Sequence, residues 1–267
     1  MKISAPIGVF DSGIGGLTVT HAIMRQLPNE SIIYFGDTAR VPYGPKSPET
    51  VRRYSREIAT YLEAEGVKAL VVACNTATAH ALPALREDLS MPVIGVIEPG
   101  ARAAVSATRR GHIGVIGTAG TVKSGAYERA IRELDPSVRI TTRACPLFVP
   151  LVEEGWVDQE ATRMIAREYL APLLREHVDT LVLGCTHYPL LKPLLAEVLG
   201  PEVALIDSAE ETAREAATVL RDQRLAVTAG KRAHHRFIAS DDPLMFLQLG
   251  QRFLGAAIES VEIKTLG

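Results

Sequence analysis

Short apolar runs alternate along the chain with longer segments in which apolar positions recur every three or four residues. The runs at residues 7–10, 31–35, 68–73, 92–97, 113–116, 138–142, 179–184 and 203–206 are for the most part almost continuously hydrophobic, 138–142 being the most mixed. That pattern predicts strands buried on both faces of a parallel sheet. Between them lie amphipathic stretches such as 48–65 and 159–177, which predict helices. Ser47-Pro48-Glu49 supplies an N-cap followed by proline at the first helical position. Ser208-Ala209-Glu210-Glu211 has the form of a capping box that opens another helix. Strand and helix alternate throughout, so the expected class is α/β, with mainly parallel sheets flanked by helices.

The pattern also repeats itself. Ile7-Gly8-Val9-Phe10-Asp11-Ser12 is echoed by Ile113-Gly114-Val115-Ile116-Gly117-Thr118, an offset of 113 − 7 = 106 residues. Two cysteines that each close an apolar run, Cys74 and Cys185, are offset by 185 − 74 = 111. Two features repeating at nearly one interval predict two related α/β halves. The expected division is a first domain of residues 1–97 plus 208–267 and a second of residues 98–207. The tail after Ser208 is expected to run through a helix and a charged linker at 222–231. Strand-like 236–239 and 261–264 would then return to the first sheet.

Composition narrows the function. The chain has 267 residues, is 47% hydrophobic and 22% charged, and carries a net charge of −2. It contains no run of five like charges, and only 5% of residues are aromatic. A nucleic-acid or anionic-membrane partner is therefore not expected. No window of about 18 apolar residues occurs, so no bilayer span is expected. Three cysteines do not make a disulfide framework and fit a reducing compartment. The first residues lack the apolar stretch of a signal peptide, so the cytoplasm is the expected location.

Ligands of open α/β sheets bind beyond the carboxyl ends of the strands. Asp11, Ser12, Cys74, Asn75, Thr76, Thr118, Cys185, Thr186 and His187 all fall there in the predicted pattern. Each of the two thiols sits where a helix is expected to begin, a setting that favours thiolate and anions. A single strand-end cysteine reads most simply as a small buried hydrophobe. The matched pair, each with a threonine within two residues, points instead to chemistry. Cys145 lies outside the echo and reads as packing. Asp11 fits equally a helix cap or a site carboxylate. His187, two residues past Cys185, is placed as a proton partner. Glu153 and Glu154 cannot be told apart by spacing. One histidine beside one cysteine is too small a ligand set for structural zinc, so no metal is expected. The rival is dinucleotide binding. Gly13-Ile14-Gly15-Gly16-Leu17-Thr18 follows the first strand and Asp37 ends the second, but Thr18 stands where the third glycine of that fingerprint belongs.

Taken together, the motifs resemble those of the glutamate racemases, cofactor-independent enzymes that make D-glutamate for bacterial cell walls. The matching segments are Val9-Phe10-Asp11-Ser12-Gly13-Ile14-Gly15-Gly16, Gly36-Asp37 through Pro42-Tyr43-Gly44, Ala73-Cys74-Asn75-Thr76-Ala77, and Leu183-Gly184-Cys185-Thr186-His187-Tyr188-Pro189. They extend from residue 7 to about 210. The resemblance implies two domains related by a pseudo-twofold, with the active site between them. It implies that Cys74 removes the α-proton of D-glutamate and Cys185 that of L-glutamate, with Asp11, His187 and Glu153 assisting. Substrate contacts would be Asp11, Ser12, Tyr43, Gly44, Asn75, Thr76, Thr186 and His187. No cofactor is implied. Family members often form homodimers.

The implied chemistry suits these residues. Without a cofactor there is no electron sink, so two bases must straddle the α-carbon, one as thiolate and one as thiol. A free thiol pKa of about 8.5 leaves both forms within reach. None of the matching motifs places a lysine or arginine beside the cysteines, so hydrogen bonds in a dry cleft must meet the carboxylate charge. Racemisation of another amino acid such as aspartate, a nicotinamide-dependent oxidoreductase, and a binding protein without chemistry are the alternatives.

Overall fold

The computed structural model describes residues 2–228, 233–255 and 258–266. Its strands form two sheets. The first contains β1 (Ile7–Asp11), β2 (Ile32–Gly36), β3 (Ala69–Val72), β4 (Val93–Gly95), β9 (His235–Ala239) and β10 (Glu262–Ile263), in the order β10-β9-β2-β1-β3-β4. The second contains β5 (His112–Gly117), β6 (Arg139–Ala144), β7 (Thr180–Gly184) and β8 (Ala204–Asp207), in the order β6-β5-β7-β8. Neighbouring strands pair in parallel in both. The order β2-β1-β3-β4 is thus repeated as β6-β5-β7-β8, which gives the echo in the sequence a topological counterpart.

Parallel strands need crossovers, and helices supply them. Those of the first sheet are α1 (Leu17–Gln26), α2 (Pro48–Ala64) and α3 (Asn75–Asp88). α4 (Ile97–Ala107) leads into the second sheet. There α5 (Ala119–Ser124), α6 (Ala126–Leu134), α7 (Phe148–Glu153), α8 (Glu160–Arg175) and α9 (Lys192–Leu199) follow. α10 (Ser208–Asp222) returns the chain to pack on α1 and α4, and α11 (Pro243–Leu254) links β9 to β10. The predicted return of the tail is observed: β9 pairs with β2 from His235 to Ala239.

Side chains alternate across each strand. In β1 and β3, Val9 and Val71 join a core that continues into the second sheet through Ile113, Val115 and Val182. Phe10, Leu70 and Val72 point the other way and pack beneath α2 and α3 against Val51, Ile58, Leu62 and Leu85. α2 begins as predicted, with Ser47 Oγ accepting the Thr50 N–H at 3.3 Å and Pro48 in the first turn. The capping box at Ser208 is not formed. The cap is Asp207, whose carboxylate accepts the Ala209 N–H at 2.9 Å, while Ser208 lies inside the helix and is buried. Asp207 ends β8 and is the better acceptor, so the helix starts one residue early. Part of the expected linker, residues 229–231, lies outside the described residues.

At the amino ends of the first sheet's strands, a buried lysine ties the tail down. Lys68 Nζ donates to Ile3 O at 2.7 Å, to Leu225 O at 2.8 Å and to the Glu30 carboxylate. Glu30 in turn accepts the Val227 N–H at 2.8 Å. Lys68 and Glu30 are both buried.

Candidate active site

Each sheet has a point at which the chain reverses its direction of strand addition. In the first it lies between β1 and β3, in the second between β5 and β7. Loops diverge there beyond the carboxyl ends, and a crevice results. Asp11 ends β1, Cys74 caps α3 just past β3, Thr118 follows β5, and Cys185 follows β7. The two crevices face each other and close on one cavity of about 30 Å³. The first sheet contributes Ser12, Tyr43, Gly44, Cys74, Asn75 and Thr76 to its wall, with Val41 and Pro42. The second contributes Thr118, Val149, Cys185, Thr186 and His187.

The two thiols have different neighbours. Cys74 Sγ accepts the Ala77 N–H at 3.4 Å, at the first turn of α3. Burial pushes this thiol up to about 12, and the nearby Asp11 carboxylate adds to the rise, against smaller lowering by Ala77 and Ser12. Asp11 stands behind the wall rather than in it. It is fully buried, and its Oδ2 accepts the Gly13 N–H at 3.0 Å. Its Oδ1 has no hydrogen-bond partner among the described residues. Burial raises its pKa above the ordinary carboxylate value, although His187 and local backbone N–H groups oppose the rise.

Cys185 lacks the helix start expected from the sequence. A short 3₁₀ turn, Tyr188–Leu191, intervenes before α9, because Pro189 and Pro193 interrupt the regular backbone hydrogen bonding. Its partner is a side chain instead: His187 Nδ1 lies 3.9 Å from the Cys185 sulfur. On the far side of the ring, Nε2 is 2.9 Å from Glu153 Oε1. Burial pulls the His187 pKa down, but the hydrogen bonds to Cys185 and Glu153 more than reverse this and lift it to about 10. Of the two neighbouring glutamates it is Glu153, the last residue of α7, that contacts His187. Phe253 of α11 stands edge-on to the ring, centroids 5.2 Å apart at 78°.

The glycine turn serves the protein itself. A Cβ at Gly15 would overlap Thr186 Oγ1 and the His187 ring, so this position lets the two halves touch. Thr18 Oγ1 spans the same contact, its one proton shared between Gly15 O at 2.9 Å and Thr186 O at 3.1 Å. Asp37 is buried and bound by Arg40 Nε, by the Tyr43 hydroxyl and by Ser240 Oγ at 2.9 Å. That carboxylate holds the loop bearing Tyr43 and is not offered to a ribose. The space and the acceptor that a dinucleotide requires are both taken.

Some site residues escaped the sequence reading. Thr121 completes a triangle of hydroxyls, 3.2 Å from Thr76 and 3.0 Å from Thr118, with Thr76 and Thr118 2.9 Å apart. Its signal was Thr118-x-x-Thr121, a helix cap followed by a hydroxyl at the third position. Gly120 N donates to Gly44 O at 2.9 Å, and the Tyr127 hydroxyl donates to Asn75 Oδ1 at 2.7 Å. These are contacts between the two halves, and no local pattern announces them. Among the described residues no cluster of three His, Cys, Asp or Glu side chains is placed to hold a metal ion. No described helix is long and apolar enough to cross a membrane.

Residues 7–216 match the model of the Asp/Glu/Hydantoin racemase family. The chain belongs to that family. A glutamate racemase of Geobacter metallireducens is 58% identical over 255 residues, covering 96% of this chain and 94% of that one. The crystal structure of a glutamate racemase isoform from Bacillus anthracis superposes with a TM-score of 0.94 at 47% identity, over 97% of both chains. That of the Francisella tularensis glutamate racemase in complex with D-glutamate gives 0.93 at 39% identity, over 98% of both. As an amino-acid racemase, and so an isomerase, the chain must exchange a proton at a stereocentre. The cavity offers this chemistry a sulfur from each sheet.

Proposed function

We propose that this racemase interconverts L- and D-glutamate without a cofactor, using Cys74 and Cys185 as the two bases. The observation that carries this reading is that the two thiols, at the ends of the corresponding strands β3 and β7, line one cavity. The names and bound ligand of the relatives point to glutamate as the substrate. In the proposed direction from L to D, Cys185 takes the α-proton and Cys74 delivers one to the opposite face; the roles reverse from D to L. His187 exchanges protons with Cys185, with Glu153 orienting its ring. Asp11 serves Cys74: burial has made its carboxyl a stronger proton acceptor than an exposed one, which suits a thiol that is itself hard to ionise.

The substrate carboxylates would be met by Ser12, Asn75, Thr76 and Thr186, with Tyr43 and Gly44 completing the first sheet's wall. Such donors are most effective where water is excluded. A cavity of about 30 Å³ has room for about two waters by the volume each water centre needs. An amino acid is several times larger, so the two halves must part to admit it. We take residues 1–97 with 208–267 as one moving domain and 98–207 as the other. The D-glutamate produced would feed peptidoglycan synthesis in the cytoplasm.

The test is incubation of the purified protein with L-glutamate in deuterium oxide, without added cofactor, followed by chiral analysis and mass spectrometry. The expected products are D-glutamate and deuterium at Cα. Absence of both, or faster exchange with aspartate in a parallel reaction, would overturn the assignment.

A further inference from the structure

Tyr127 belongs to α6, on the second sheet's side of the cleft, and is buried without lining the cavity. Its ring lies flush against two glycines. A Cβ at Gly184 would stand 3.0 Å from Tyr127 Cε2, and one at Gly100 3.5 Å from Cε1. From this slot the hydroxyl reaches across to Asn75 Oδ1 at 2.7 Å. Burial holds the phenol's pKa above its ordinary value, so the hydroxyl keeps its proton and donates.

The two ends of an asparagine amide are not equivalent: the oxygen accepts and the nitrogen donates. With Oδ1 engaged by Tyr127, Nδ2 is the end left over. That nitrogen is buried and has no partner among the described residues. Asn75 lines the cavity beside Cys74. A buried amide donor without an acceptor is costly, and a ligand that supplies the acceptor removes the cost. We infer that Tyr127 is a positioning residue that fixes the Asn75 amide with its NH₂ toward the cavity, where it donates to a carboxylate of the bound amino acid. This rests on the proposed glutamate racemase activity and extends it to a residue that never meets the substrate. It also means that the donor is set only when the two halves are together.

The experiment is a double-mutant cycle in steady-state racemisation of L-glutamate, with Tyr127→Phe, Asn75→Ala and the double variant. Tyr127→Phe keeps the ring and removes only the hydroxyl. It should raise KM about 5- to 30-fold and lower kcat less than about threefold, as expected for loss of one oriented hydrogen bond to a charged group. In the Asn75→Ala background the same change should alter KM by less than about twofold, since the amide it orients is gone. Asn75→Asp tests the geometry without touching the tyrosine. It leaves Tyr127 an acceptor but turns the cavity-facing donor into an oxygen, and should raise KM at least as far as Asn75→Ala. Additive effects in the cycle, or an Asn75→Asp enzyme with KM within twofold of wild type, would overturn the inference while leaving an active wild type as a glutamate racemase. A wild type inactive on glutamate would remove both.

Discussion

Replacing Glu153 by glutamine probes the proton relay proposed behind Cys185. His187 is buried, and its pKa stands at about 10 instead of 6.5. That difference corresponds to ~5 kcal/mol in favour of the imidazolium, at 1.36 kcal/mol per unit. Burial opposes the charge, so the support comes from Cys185 at 3.9 Å and Glu153 at 2.9 Å. Glutamine keeps the length and the acceptor of Glu153 but loses the charge, and a charge-assisted hydrogen bond is worth roughly twice a neutral one. The expected loss is ~1.5–2 kcal/mol, or a fall of about 1–1.5 units in the His187 midpoint. The sign of the stability effect follows. The folded pKa lies above the unfolded one, so the stabilisation is complete below about pH 6.5 and disappears as pH rises through about 10. Glu153→Gln should therefore cost ~1.5–2 kcal/mol at pH 6 and almost nothing above pH 10. NMR titration of the histidine ring protons would follow the midpoint, with His187→Asn assigning the signal among the seven histidines. Urea unfolding at the two pH values would follow stability. A wild-type His187 titrating near 6.5, or an equal loss of stability at both pH values, would refute the reasoning.

Three further outcomes are expected. Cys74→Ala should abolish racemisation while leaving the circular dichroism spectrum unchanged, and substantial D-to-L conversion by that variant would sink the two-thiol scheme. Gly15→Ala should lower stability by about 1–3 kcal/mol, as overpacking does, and activity at least tenfold, because its methyl would displace Thr186 and His187; thermal unfolding and racemisation assays read both, and a fully active, equally stable variant contradicts the packing. Lys68→Met should destabilise by about 3–5 kcal/mol, since it strands the buried Glu30 carboxylate, and Lys68→Met with Glu30→Gln should recover part of the loss. Denaturant titration decides that case, and a single-variant loss below about 1 kcal/mol would show the pair to be dispensable.

The central strands were legible because they are buried on both faces, which leaves an uninterrupted apolar run, as in β3 and β7; the edge strand β6 is partly exposed and mixes polar with apolar positions. The pair of cysteines was legible as a pair because the topology repeats, so equivalent strand ends each place a thiol on the one cavity. What stayed hidden is non-local. The choice of Glu153 over Glu154 depends on where α7 stops relative to His187, 34 positions further on. Tyr127 meets Asn75 across 52 residues and two elements of opposite halves. The helix at Asp207 begins a residue early because competing caps differ in acceptor strength, and a serine followed by two glutamates looks the same in either case. The setting of Cys185 differs from that of Cys74 because the sequence after it carries prolines, which give a 3₁₀ turn in place of a capped helix. The glycine turn copied part of a nucleotide signature for a different reason: the close neighbour it admits is the 186–187 loop.

The contacts that close the cavity form a seam with its own strength. Gly120 to Gly44, Thr76 to Thr118, Thr18 to Thr186 and Tyr127 to Asn75 all cross it. With the parting proposed above, and a net ~0.5–1.5 kcal/mol apiece, the four amount to ~2–6 kcal/mol and would make shut molecules outnumber gaping ones by roughly 30-fold to 10⁴-fold. Every entering amino acid would then be handicapped by that ratio, and every departing one would wait for it. Throughput would thereby be governed in part by threonines and glycines that transfer no proton, and selection for speed would act on how firmly the seam is stitched as much as on the sulfurs inside it.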